Sequence, residues 1–391
     1  MGIFFKRKDE KELVLIFDIR SSSVGAAIFE VQKMGVPKII LSIREPIVFQ
    51  SEINIDNFLF LTIKALEIVA SKVSIMSTSR PKKVFCILSS PWYASQTRTI
   101  KLEKNTPFVF TSKLANELIK KEISIFEEEH IKNFSDTNNK TRLIEFKNMK
   151  TLLNGYQTSD PFNKKTKKLE MIIFISIAGD QILKKIEETI FRHFHYSDVK
   201  FSSFAMASFV VARDMFIDQD SFLLVDIGGE VTDISMIKKN ILNYSISYPL
   251  GYNFIIRRIA DSLNSTLDEA KSLISLYRDD HAEESTQKKL EPIIGKLKME
   301  WLKGFQESLV NISSDISIPA TIFITVDQDL ADFFSKIIKT EQFNQYTLSE
   351  SEFKIIFLGT QTLNDIIVFK DKIYRDPFIA IEAIYINRFI C

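Results

Sequence analysis

The chain has 391 residues, 45% hydrophobic and 26% charged, the balance of a folded protein with material for two ordinary domains or one large bilobed one. Lys and Arg (51) nearly cancel Asp and Glu (50), so bulk charge gives no reason to expect nucleic acid. Four histidines and two distant cysteines, Cys86 and Cys391, give no basis for a zinc knot or a disulfide framework, and no run reaches the ~18–20 apolar residues that span a bilayer.

Residues 1–12 (MGIFFKRKDEKE) lack the apolar core of a signal peptide and read as a flexible leader, with a weak membrane-surface or partner-docking tag as the alternative. Residues 13–18 (LVLIFD) form an apolar run ending in an acid. The turn Ile19-Arg20-Ser21-Ser22-Ser23 follows, then a second apolar run over 24–31, so strand, tight turn and antiparallel strand are expected. Residues 38–49 supply a third strand, 56–74 a helix with Asp56 as N-cap, and 84–88 (VFCIL) a buried strand. Together 13–98 make an α/β unit, the first part of a first lobe.

Residues 99–195 read as a separate module: a helix over 112–130, strands over 141–153 and 168–177 separated by a turn-rich stretch, and an amphipathic helix over 179–194. After 196–220, which return to the first lobe, the opening pattern recurs. Residues 222–226 (FLLVD) end in an acid, Ile227-Gly228-Gly229-Glu230-Val231-Thr232 turns, and Asp233 begins the return strand, with a further strand over 241–247. Such duplication implies two similar lobes facing each other, the second covering 221–391. Helices over 253–263, 267–277 and 287–313 form a helical subdomain at about 253–318, with Trp301 in its core. Strands over 321–326 and 354–358 and a closing helix over 376–390, apolar on nearly all sides and read as packed inside, complete the chain.

A turn that cradles phosphate needs backbone N–H groups aimed at the anion and little side-chain bulk. With only 11 glycines in the chain, the adjacent Gly228 and Gly229 after a strand are informative. Thr232 adds a hydroxyl, and Asp226 stands where an acid holds a metal-bound water. The first turn has hydroxyls but no glycine.

These two turns resemble the phosphate hairpins of the actin, heat-shock chaperone and sugar-kinase ATPase superfamily, and the chain is most similar to its FtsA/PilM branch. The resemblance implies an α/β, bilobed actin-like (ribonuclease H-like) fold with an inserted α+β (SHS2-type) subdomain. It places Asp18 and the hydroxyls of Ser21, Ser22 and Ser23 on the first hairpin, and Asp226, Gly228, Gly229, Thr232 and Asp233 on the second. It implies ATP and Mg2+ as cofactors, the metal held through water by Asp18 and Asp226.

The departures imply a damaged site. Arg20 replaces the first hairpin's glycine and Glu230 the second hairpin's third glycine; Asp327-Gln328-Asp329 stands where the adenosine-binding strand ends in Gly-Gly, and Lys271 and Ile274 stand where ribose contacts are expected. A carboxylate ~4 Å from a phosphate costs ~4 kcal/mol at an effective dielectric of about 20, roughly a thousandfold in affinity. Unless Glu230 turns to solvent or pairs with Arg20, ATP binding is weak. An Arg20 that reaches Asp18, Asp226 or Asp233 would put an internal cation in the metal's place.

The expected function is a cytoplasmic scaffold, at most a weak ATPase, at the inner face of the membrane through a partner. The resemblance implies as partner the peptide tail of a PilN-like pilus membrane protein or the FtsZ tail, with self-association into filaments, no nucleic acid and only indirect membrane contact. The alternatives are an FtsA-like active ATPase that polymerises and, more remotely, a small-molecule kinase. FtsA proteins end in a linker and a basic amphipathic helix; this chain stops at Cys391 directly after its closing helix, which favours the pilus relative.

Overall fold

The computed structural model describes residues 12–32, 35–77, 79–133, 140–279, 281–312, 318–339 and 353–390; most of the leader, and Cys391, lie outside the described residues. The chain opens with an antiparallel meander of β1 (Leu13–Ile19), β2 (Ser23–Glu30) and β3 (Lys38–Pro46). Helix α1 (Ile55–Met76) then carries it over to β4 (Lys83–Leu88), which pairs parallel to β1. Every residue of β1 is buried, as an interior strand covered on both faces requires. The α1 N-cap is Asn54, whose side chain accepts the Asn57 N–H at 3.0 Å; Asp56, expected in that role, sits in the first turn, where its charge suits the helix dipole.

The second half repeats the plan. Strands β10 (Phe222–Ile227), β11 (Thr232–Lys238) and β12 (Ile241–Tyr248) form a meander, and β13 (Thr321–Thr325) runs parallel to β10 with β14 (Lys354–Phe357) beyond it. The sheet order β12-β11-β10-β13 thus matches β3-β2-β1-β4 in the first sheet, to which β9 (Val199–Ser203) and β15 (Val368–Phe369) add outer strands.

Between the sheets lie α4 (Phe204–Met215) and α9 (Pro377–Ile390). One apolar core joins Val14, Ile16 and Phe29 of the first sheet to Phe222, Leu224 and Phe323 of the second through these two helices, so the lobes share a core. The closing helix is indeed internal: Phe378, Ile379, Ile381, Ile384 and Ile386 are buried. On its outer face the second sheet carries α5 (Tyr252–Leu263), α6 (Leu267–Arg278), α7 (Glu284–Ile312) and α8 (Ala331–Lys339), packed around a fully buried Trp301.

The insertion is a four-stranded antiparallel sheet of order β5-β8-β6-β7, built from β5 (Ala94–Phe110), β6 (Thr141–Leu153), β7 (Tyr156–Gln157) and β8 (Lys164–Gly179). Helix α2 (Ser112–Asn133) covers one face. Two boundaries differ from the sequence reading. The sheet begins at Ala94 rather than 99, because the polar stretch 95–99 pairs in unbroken register with 172–176 of β8 at the sheet edge. Helix α3 (Asp180–Phe194), read as part of the insertion, instead packs Leu183, Ile186 and Ile190 with α1 onto the first sheet, beside Leu15 and Phe17.

Candidate functional site

The two aspartate turns close alike. Arg20 N donates to Ser23 O at 3.1 Å, and Gly228 N donates to Val231 O at 2.9 Å. Their aspartates occupy equivalent strand positions, Asp18 opposite Gly25 and Asp226 opposite Asp233. The turns meet directly across the lobes: Glu230 N donates to Ser21 Oγ at 3.1 Å, and a Cβ on Gly229 would lie 2.7 Å from Ser22 Cβ. Gly229 is required by this close approach.

Arg20 is the centre of the junction. Its Nη2 meets Asp226 Oδ1 at 2.6 Å and its Nη1 donates to Ser89 Oγ at 3.1 Å. The guanidinium lies 3.7 Å from the ring centre of Phe378, and the side chain is only 2% exposed. Burial works against its charge, but Asp226 and Asp18 outweigh that and hold its pKa above the ordinary value. A second arginine, Arg44 on β3, takes Asp18: Nη2 to Asp18 Oδ2 is 2.5 Å and Nε to Asp376 Oδ2 is 2.6 Å, while Nη1 donates to Ser23 Oγ at 2.8 Å. Gly25, its cross-strand neighbour, has no side chain because a Cβ there would stand 2.8 Å from Arg44 Nη2. Asp376 caps α9 ahead of Pro377, accepting from the N–H groups of Phe378 and Ile379. From α9 the buried Glu382 adjoins Asp18; burial first, and then Asp18, push its carboxyl well above the usual range.

Several site residues fall elsewhere than the sequence placed them. Glu230 turns neither to solvent nor to Arg20: it ion-pairs with Arg257 and accepts from Asn253 Nδ2 at 2.7 Å, both on α5. Its charge is thereby satisfied within the second lobe. Thr232 is fully buried behind its turn, donating to Leu250 O at 2.7 Å and accepting from Trp301 Nε1 at 3.3 Å. Lys271 is exposed on α6 and, among the described residues, takes no part in the hairpin network. Asp233 is brought to the junction: Ser90 Oγ of the first lobe donates to it at 2.8 Å, as does Ser247 Oγ from β12. Burial, with the Asp226 charge beside it, pushes the Asp233 carboxyl up to about 7.

A magnesium-bound triphosphate does not fit these residues. Asp226 Oδ1 is taken by Arg20 and by Thr325 Oγ1 at 2.7 Å, and Asp18 Oδ2 by Arg44. The first N–H groups of α5 are bonded to the second turn itself, Tyr252 N to Gly228 O at 3.1 Å and Asn253 N to Gly229 O at 2.8 Å. The space beside Ser21, Phe49, Glu230 and Asn253 is about 10 Å³, room for about one water at most. A groove of about 590 Å³ lies between α6, α7 and α8, where Asp329 of the expected adenosine end joins Tyr277, Arg278 and Lys298 in its lining.

No family model and no curated protein matches the chain. Solved structures do. A PilM–PilN type IV pilus biogenesis complex aligns with a TM-score of 0.61 at 14% identity, over 96% of this chain and 98% of that one. Weaker matches are a Bacteroides thetaiotaomicron protein with actin-like ATPase fold and unknown function (TM-score 0.40, 10% identity, 99% of each chain) and the ethanolamine utilization protein EutJ of Carboxydothermus hydrogenoformans (0.42, 9%, 96% and 89%). The chain has the bilobed actin-like fold of the PilM type. At these identities the likeness is one of fold.

Sequence reasoning missed Arg44, Asp376, Glu382, Ser90 and Arg257. Two carried a signal: Asp376-Pro377 is a helix-start signature, and Arg44 interrupts an apolar strand opposite a glycine. Arg257 and Glu382 look like surface charges of helices, and only the packing reveals otherwise.

Proposed function

We propose that the chain is an actin-fold scaffold of the pilus-assembly kind, which takes the cytoplasmic peptide tail of a PilN-like membrane protein and works without turning over ATP. The observation that carries the adaptor reading is the end-to-end likeness to the PilM–PilN complex, covering 96% of the chain. The occupation of Asp18 and Asp226 by Arg44 and Arg20 supports the absence of turnover: two arginines supply the positive charge that a nucleotide's metal would bring. Such a protein has its lobes closed at all times, so partner binding is independent of nucleotide. Through that partner it would stand at the inner face of the membrane.

Two titrations of the full chain test this. Calorimetry with MgATP should give no binding heat and no phosphate release; tight binding with turnover defeats the non-hydrolysing reading. Pull-down with tail peptides should retain the pilus membrane protein's tail. Retention of the FtsZ tail alone would move the assignment to cell division.

A further inference from the structure

The inserted subdomain ends in a tip whose charge is unlike the rest of the molecule. Strands β5 and β8 pair Glu103 with Lys168, break register, and resume with Phe108 opposite Thr166, Val109 opposite Lys165 and Phe110 opposite Lys164. At the base of the same ribbon Thr97 Oγ1 donates to Leu242 O of the second lobe at 2.6 Å. Six residues at ~3.3 Å each put Glu103 roughly 20 Å beyond that contact. The tip therefore stands clear of both lobes.

Five lysines, Lys104, Lys164, Lys165, Lys167 and Lys168, are exposed there, against two acids in the same segments, Glu103 and Asp160. The tip thus carries +3 in a chain whose net charge is +1, and the remainder is acidic by two. Among the described residues only Lys168 has an acidic partner, Glu103 at 2.7 Å; Lys164 donates to Thr158 Oγ1 at 3.3 Å, and Lys104 lies over the Phe108 ring. Lys165 and Lys167 have no ion-pair partner among the described residues. Three apolar side chains project at the same end: Tyr156 at 80% exposure, Phe162 at 43% and Val109 at 43%.

The tip is also built rather than loose. Asn154 and Gly155 turn the chain with positive φ, and the Asn154 amide oxygen accepts from Lys167 N, Lys168 N and Thr166 Oγ1. Asn163 N donates to Phe110 O at 2.7 Å, and Phe162 stacks on the buried Phe110. The lysine backbone and the exposed aromatics are thus held in fixed relation.

Lysines with long apolar stems around exposed Tyr and Phe match the charge and polarity gradient of an anionic bilayer surface. The ammonium groups meet headgroup phosphates while the rings enter the interfacial layer. Each lysine near such a surface raises affinity roughly fivefold, and the rings add apolar burial. We propose that the tip around Lys164, Lys165, Lys167 and Tyr156 docks directly on an anionic membrane, independently of the protein partner proposed above.

The test is co-sedimentation of the full chain with vesicles of phosphatidylcholine alone or with about a third phosphatidylglycerol, at low and high salt. The expected result is binding to the anionic vesicles only, released by salt. K164E/K165E/K167E should lower it at least tenfold, and Y156A should weaken it several-fold while leaving its salt dependence unchanged. K165E/K167E, which removes only the two lysines without ion-pair partners, serves if the triple variant misfolds, and should lower binding severalfold. Failure to bind anionic vesicles, or equal binding by the charge-reversed variants, overturns the proposal. So does capture of an acidic peptide or single-stranded RNA by the tip in place of lipid. Because no peptide tail is present in this assay, its failure leaves the pull-down result standing.

Discussion

The hairpin junction and the tip of the inserted sheet are both rich in charge, yet they are built on opposite terms. At the junction every cation has an internal acid: Arg20 has Asp226, Arg44 has Asp18 and Asp376, Arg257 has Glu230. At the tip, Lys165 and Lys167 have none among the described residues and face solvent. A buried charge must be neutralised within the fold, because desolvating it alone costs several kcal/mol; an exposed lysine can wait for an external anion at almost no cost. The junction's charges are therefore answered within the fold, and the tip's lysines are left to solvent.

That contrast can be broken most forcefully at Arg20. R20M leaves Asp226 without its counter-charge and should cost about 3–5 kcal/mol in denaturant unfolding, most of which R20M/D226N should regain. A cost below about 1 kcal/mol would show that solvent already reaches the pair. Next in size is Asp233. Its folded pKa lies at about 7 against an ordinary 3.8, so the folded state favours the protonated form. Stability is then lost as pH rises from about 4 through 7, and D233N escapes that loss. The advantage of D233N over the wild type should accordingly grow between pH 4 and pH 8, by up to about 4 kcal/mol. A difference that does not change with pH refutes the shift. E382Q should cost less than about 1 kcal/mol at pH 7, since the amide keeps the carboxyl's shape where burial disfavours its charge. K165E/K167E should leave stability within about 0.5 kcal/mol, as surface substitutions do. A larger loss would mean the tip lysines hold the fold.

Much of the architecture was legible because its physics is local. Residues 13–18 and 222–226 are apolar runs too short for helices and end in an acid, and the repeat of that pattern fixed the two meanders before any contact was known. The inserted edge strand β5 was not legible as a strand, since its alternating charges resemble an exposed loop. Nor was the allegiance of α3: its apolar stripe calls for a partner surface without saying which.

By itself, then, the sequence determined the duplicated strand-and-acid units, the buried closing helix and which of the two turns carries glycines, because periodicity, burial length and glycine content are properties of neighbouring residues. Which charge answers which was decided only by tertiary structure. Arg20 and Asp226 are 206 positions apart, and Arg44 and Asp376 are 332 apart. Pairing of this kind depends on where two lobes and the last helix come to rest, and electrostatic interaction strengthens only once that packing has removed the water between them.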